Sequence, residues 1–221
     1  MSAPTSPPLV LASSSPRRAA LLRLLGLTFT VHPVGDEAAG PAAEEAPVAP
    51  VGPGGAGAPG PAPSRDPVGA AAARARWLAR AKADVAAPHH PGAVVIGADT
   101  IVVVDGASLG KPRDPAEAAG MLRQLSGRTH HVATGIAVVR AEWDLRLDDV
   151  TVTAVTFRPL SAEEIAAYVA TGEPFDKAGG YGIQGRAAIF VERIEGDYYG
   201  VVGLPLAPLA LLLRRAGVRV P

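Results

Sequence analysis

Residues 93–112 read AVVIGADTIVVVDGASLGKP, and the fold turns on this stretch. Ala93, Val94, Val95 and Ile96 form a continuous apolar run of the kind a buried strand shows. Asp99 interrupts the pattern, and a second apolar run follows from Ile101 to Val104. A carboxylate between two buried runs is costly unless it is paired or binds a metal. Asp105-Gly106 is a tight-turn pair that predicts a hairpin, whose return ends at Gly110-Lys111-Pro112. The spacing is compatible with an acid brought near a lysine. It is equally compatible with a strand-end aspartate that caps a turn beside a solvated lysine.

Upstream, Leu9-Val10-Leu11-Ala12 reads as a short buried strand, followed by Ser13-Ser14-Ser15-Pro16-Arg17-Arg18 and a periodic run through Leu21, Leu22, Leu24 and Leu25. Ser15 suits an N-cap, Pro16 the first helical position and Gly26 the stop. Arg17 and Arg18 are anomalous there, because a helix N-terminus already carries partial positive charge. Free backbone N–H groups, serine hydroxyls and two guanidinium groups together would cradle an anion. Solvated arginines, or arginines paired with acids elsewhere, are the alternative. Residues 28–34 read as a strand ended by Asp36-Glu37, a solvated pair or a hard-cation site.

Residues 38–68 are a different material, with eight prolines and six glycines in 31 positions. Such a segment buries too little apolar surface to offset its ordering entropy, and it reads as a flexible insertion within one domain spanning 9–217. An alanine-rich helix is predicted over 70–85, carrying Lys82. Beyond the central stretch, helices are predicted from Asp114-Pro115 and from Ser161, where Ser161 to Glu164 spells a capping box. Strands are predicted from His130 to Val139 and over the alternating VTVTAVTF of 150–157. His130 and His131 resemble a metal pair, but neighbouring strand residues face opposite ways. The glycine-rich loop 172–185 carries Asp176, Lys177 and Gln184, and its glycines would let backbone approach a ligand closely. Strands and helices alternate without regular βαβ repeats, which predicts an α/β fold with a mixed sheet.

Composition narrows the classes. The chain has 221 residues, no cysteine, and 21 basic against 21 acidic side chains. Disulfides and thiolate metal sites are excluded. Zero net charge argues against non-specific binding to long nucleic acids, though not against one small anionic ligand. No apolar run approaches the roughly 20 residues of a membrane span, and the N-terminus lacks the pattern of a signal peptide. The expectation is a soluble cytoplasmic protein. There is no Walker A motif and no GxGxxG.

Taken together, LASSSPRR, ADTIV, GKPRD, LSGRTHHVATG, EPFDKAGGYGIQG and VVGLPL, in that order, resemble the Maf family of nucleoside triphosphate pyrophosphatases. The resemblance covers the chain apart from residues 1–8 and the insertion. It implies a mixed sheet with flanking helices in two lobes around a nucleotide-binding cleft, related to the inosine triphosphate pyrophosphatases. The implied reaction cleaves a nucleoside triphosphate between the α and β phosphates, with a divalent cation, Mg²⁺ or Mn²⁺. Ser13, Arg17, Arg18, Lys82 and Lys111 match positions that hold phosphates. Asp99 matches the proton acceptor that activates water and, with Glu37, the metal side; whether Asp36 or Glu37 is the equivalent acid stays open. Gln184 matches the base-reading end. Ala81 and Gly200 stand where the family often has Glu and Asn.

Within the family, Arg17, Thr100 and Gln184 resemble the branch acting on dTTP and UTP rather than the branch acting on 7-methyl-GTP. A neutral amide both donates and accepts, which suits a pyrimidine edge. The resemblance further implies a homodimer and a role in sanitising nucleotide pools, modified pyrimidine triphosphates included. A different class is also open: Maf proteins are linked with arrest of septum formation, so a nucleotide-sensing regulator that binds without turnover is the alternative.

Overall fold

A computed structural model of the chain describes residues 6–35 and 66–220. Asp36, Glu37 and nearly all of the Pro/Gly-rich insertion lie outside the described residues. Among the described residues, the strands are β1 (Leu9–Ala12), β2 (Thr30–His32), β3 (Val94–Val104), β4 (Ala107–Leu109), β5 (Thr129–Arg140), β6 (Leu145–Phe157) and β7 (Val191–Glu195). The helices are α1 (Pro16–Leu24), α2 (Pro67–Ala86), α3 (Pro115–Leu125), α4 (Ala162–Val169), α5 (Tyr198–Val202) and α6 (Leu206–Arg215).

The strands form one open mixed sheet in the order β2-β1-β3-β5-β6-β7, with β4 also on β3. β2, β1 and β3 run parallel, and the remaining pairs are antiparallel. β5 occupies one edge of β3 from Val95 to Val103. On the other edge, β1 pairs with Val94 to Gly97 and β4 with Val102 to Val104. Residues 98–101 therefore face a notch in the sheet, between the end of β1 and the end of β4. Crevices at the carboxyl ends of parallel strands are where α/β sheets place ligands.

The central stretch differs from its sequence reading in one respect. Asp99 sits inside a single uninterrupted strand of 11 residues, not at a strand end. The hairpin expected after it is present, with Asp105 at φ 50° and Gly106 at φ 80°, the conformations a type I′ turn requires. The second strand is shorter than the seven residues expected, because only Thr30–His32 find partners on β1. The alanine-rich helix begins earlier than expected: Asp66 caps it by accepting from the Val68 amide at 3.0 Å, and Pro67 takes the first position. Asp66, Pro67 and Val68 thus belong to α2 and not to the insertion. The capping box at α4 is complete, with Ser161 and Glu164 each receiving the other's backbone N–H.

α2 lies against one face of the sheet by unusually close approach. Ala71, Ala75, Ala79 and Ala83, spaced four apart, are buried on one helix stripe. Opposite them stand Gly97 on β3 and Gly135 on β5. A Cβ at Gly97 would lie 2.0 Å from the Ala79 carbonyl oxygen, and one at Gly135 2.3 Å from that of Ala75. The other face carries the larger core, in which Leu21, Leu22, Leu122, Leu125, Leu209 and Leu213 pack with Ile96, Ile136, Phe157 and Phe190. No helix among the described residues is long and apolar enough to cross a membrane.

Candidate active site

Strand alternation assigns the two residues at the notch to opposite faces of the sheet. Asp99 lies on the α2 face and Thr100 on the α1 face. α2 delivers Lys82, one position before the buried Ala83, so that its Nζ reaches Asp99 Oδ1 at 2.6 Å. Lys82 is 2% exposed and Asp99 8%, and pairing is what makes burying both charges tolerable.

On the α1 face, Arg18 donates from Nε to the Gly203 carbonyl at 2.9 Å, from Nη1 to Ser13 Oγ at 3.2 Å and from Nη2 to Thr100 Oγ1 at 3.2 Å. Ser13 Oγ also accepts the Ser15 amide at 3.2 Å. With both lone pairs occupied, its hydroxyl hydrogen is what it can offer a ligand. Ser15 begins α1 as expected but makes no side-chain cap. The Ser13 hydroxyl instead holds the amide of the N-cap residue itself, and no side chain caps the first-turn amides of α1 among the described residues.

These groups line one cleft of about 800 Å³, together with Arg17, Lys111, Tyr181, Ile183 and Gln184. That volume falls in the range of small-molecule sites. Lys111 follows β4, where the Gly110 carbonyl accepts the Gly179 amide at 3.0 Å and joins the two cleft-lining segments. The glycine-rich loop is ordered by Glu173, which accepts from the Tyr168 hydroxyl and the Arg186 amide, both at 3.1 Å. It places Gln184, an exposed side chain, on the cleft wall.

Arg17 does not stand with Arg18. Its Nη1 donates to Asp176 Oδ2 at 2.6 Å, so the two arginines of SSSPRR diverge. Burial pushes the Asp176 carboxyl up, but hydrogen bonds from Lys177 and Arg17 outweigh it and hold the pKa below the usual carboxylate value. Of the residues assigned from sequence, Ser13, Arg17, Arg18, Lys82, Asp99, Thr100, Lys111 and Gln184 all border the cleft. Glu37 lies outside the described residues.

His130 and His131 do separate, as strand alternation requires. His130 is fully buried, and its Nε2 lies 2.8 Å from the hydroxyl of Tyr181 on the cleft wall. Burial, with the neighbouring His131 adding, pushes the His130 pKa down to about 4. Burial likewise pushes the Tyr181 hydroxyl up, so it keeps its proton at neutral pH. Sequence reading missed the pairing of Tyr181 with His130 and the contacts of the buried Thr134 hydroxyl with Thr100 Oγ1 and the Gly200 carbonyl. The only signal for Thr134 was a hydroxyl in the otherwise apolar centre of a strand.

Fold and site together define an α/β protein with a cationic cleft at a break in a mixed sheet, furnished with a lysine-paired carboxylate. The family model described as Maf-like protein matches residues 8–216, and the chain belongs to the Maf family. It is 49% identical over 210 residues to a protein of Symbiobacterium thermophilum, covering 95% of this chain and 94% of that protein. It is 49% identical over 213 residues to a protein of Moorella thermoacetica, covering 96% of each. A Burkholderia pseudomallei protein is 46% identical over 217 residues, covering 98% of this chain and 97% of the relative. All three relatives are named dTTP/UTP pyrophosphatase.

Proposed function

We propose that this protein is a nucleoside triphosphate pyrophosphatase that hydrolyses dTTP and UTP to the monophosphate and pyrophosphate. The observation that carries the reading is the juxtaposition at the notch: a carboxylate with a fixed partner on one face, and a serine–arginine anion cradle on the other. Asp99 takes the proton of the attacking water, and Lys82 fixes the orientation of that carboxylate. Ser13, Arg18 and Lys111 offer donors to the triphosphate and stabilise charge on the transferring group and on departing pyrophosphate, the main requirement in phosphoryl transfer. Gln184, exposed on the cleft wall, reads the base in this proposal, offering a donor and an acceptor to a pyrimidine.

The donor set suits a hard divalent cation of the Mg²⁺ or Mn²⁺ kind. Among the described residues no group of three or more His, Cys, Asp or Glu side chains forms a cage, and one or two carboxylates plus substrate phosphates is the usual way Mg²⁺ is held. Asp99, with Glu37, would hold it. When bound, the cation neutralises phosphate charge and orients the scissile bond. Nucleotide pool sanitation in the cytoplasm, a homodimeric state and no need for nucleic acid complete the reading.

Incubating the purified protein with dTTP, UTP and 7-methyl-GTP in Mg²⁺ tests it. Pyrophosphate and the monophosphate should form, chelation should stop turnover, and kcat/KM should favour the two pyrimidines. Release of orthophosphate would overturn the reaction. A preference for 7-methyl-GTP would overturn the branch alone. Tight nucleotide binding without turnover would support the sensing regulator instead.

A further inference from the structure

Thr134 lies fully buried in the middle of β5, opposite Thr100 of β3 in the antiparallel register. Its Oγ1 is 2.7 Å from the Gly200 carbonyl oxygen and 3.0 Å from Thr100 Oγ1. A hydroxyl has one hydrogen to give, and a carbonyl can only accept. Thr134 Oγ1 stands as donor to both, so its one hydrogen is shared between the Gly200 carbonyl, the shorter contact, and Thr100 Oγ1. On its other side Thr100 Oγ1 accepts from Arg18 Nη2, which can only donate, at 3.2 Å. In the series Arg18 to Thr100 to Thr134 to Gly200, Thr100 Oγ1 is thus held between Arg18 and Thr134, and Thr134 ties it to the Gly200 carbonyl.

The series closes on itself. Arg18 Nε donates to the Gly203 carbonyl, three residues beyond Gly200 at the end of α5. The segment 200–203 therefore holds Arg18 twice, once directly and once through two threonines. A valine at position 134 would have nearly the same shape beside Val132 and Ile136, but it would leave the buried Gly200 carbonyl and Thr100 Oγ1 without their donor.

We propose that Thr134 is a positioning residue, which through Thr100 fixes the Arg18 guanidinium for the phosphates of the substrate. The proposal rests on the pyrophosphatase reading of the cleft. Thr153 supplies a matched comparison. It is equally buried, donates to the Asp197 carbonyl at 3.1 Å and accepts the Asp197 amide at 2.9 Å. It thus anchors the other end of α5 and makes no bond to Arg18.

The test compares Thr134→Val, Thr134→Ser, Thr153→Val, Arg18→Lys and the double variant Thr134→Val with Arg18→Lys. Thr134→Val should lower kcat for dTTP about tenfold with KM changed less than about threefold, from the lost hydrogen bonds. Thr134→Ser should restore it, and Thr153→Val should lower Tm while keeping kcat. Adding Thr134→Val to Arg18→Lys should cost almost nothing more, the mark of residues that act as one unit. Nuclear magnetic resonance gives a readout that needs no turnover: the Arg18 Nε–H should exchange slowly in wild type and in Thr153→Val, and faster in Thr134→Val. Multiplying effects in the double variant, an equal kcat loss in Thr153→Val, or an unchanged Nε–H exchange rate would each overturn the proposal. A wild type that releases no pyrophosphate would overturn the pyrophosphatase reading, while the exchange rates still decide whether Thr134 positions Arg18.

Discussion

Arg17 and Asp176 meet at the cleft, Nη1 to Oδ2 at 2.6 Å, although 159 positions separate them in the chain. Both side chains are partly exposed, at 27% and 57%, and such pairs contribute little to stability, about 0–1 kcal/mol. A phosphate entering the cleft has to compete with Asp176 for Arg17. Asp176→Asn should therefore leave Tm nearly unchanged and lower KM for dTTP by up to about fivefold, whereas Arg17→Ala should raise KM. Steady-state kinetics on both variants decides it. Should Asp176→Asn raise KM as Arg17→Ala does, the carboxylate serves to hold Arg17 in place rather than to compete.

Asp99 and Lys82 behave differently because both are buried. Asp99→Asn keeps a hydrogen-bond acceptor for Lys82 but has no proton affinity to offer water. Turnover should fall on the order of 10²- to 10⁴-fold with the circular dichroism unchanged. Lys82→Met strips a buried carboxylate of its ammonium and should cost about 3 kcal/mol, the low end for broken buried pairs because Asp99 borders the cleft. Near-wild-type turnover in folded Asp99→Asn would remove Asp99 from the chemistry.

Gly97 controls how closely α2 approaches β3. Gly97→Ala would drive a methyl into the Ala79 carbonyl, and overpacking of this kind costs about 1–3 kcal/mol or more. Displacing α2 also moves Lys82, so activity should fall with stability. Gly120, in α3, has open space around its Cβ position. Gly120→Ala should stabilise by about 0.4–1 kcal/mol. Thermal melts of the two variants should move in opposite directions; a neutral Gly97→Ala would show that α2 has room to yield.

The buried His130 predicts acid sensitivity. Its pKa falls from 6.5 to about 4 on folding, so between those values the unfolded chain binds the proton and the folded chain does not. Stability from this group is present above pH 6.5 and is lost as pH falls toward 4, by up to about 3 kcal/mol. Urea unfolding at pH 7 and pH 5 should show a smaller pH-dependent loss in His130→Phe than in wild type. Identical pH dependence would mean that His130 titrates normally in the fold.

Element types were legible in the chain because they follow from local rules. The capping box at Ser161, the Asp105-Gly106 turn and the Pro16 and Gly26 helix limits needed only neighbouring residues, and all are present. The cleft residues were legible for another reason: motifs spread over the chain matched one family in order. Boundaries fared less well where partners decide them, as at β2, which is only as long as its pairing with β1 allows, and at α2, which Asp66 starts three residues before the predicted helix.

By itself the sequence determined which groups are available: a carboxylate amid apolar runs, two arginines at a helix start, a lysine on an alanine-rich helix. Which of them meet was decided only by the tertiary structure. Arg17 and Arg18 are neighbours and look equivalent, yet one reaches Asp176 and the other Ser13, Thr100 and Gly203. Asp99 and Thr100 are also neighbours, and the pleat sends one toward Lys82 and the other toward Arg18. The physical reason is that such pairings depend on strand register and on the separation of helix and sheet. Those are fixed by contacts between distant segments, such as the alanine stripe of α2 settling onto Gly97 and Gly135, and no local pattern records them.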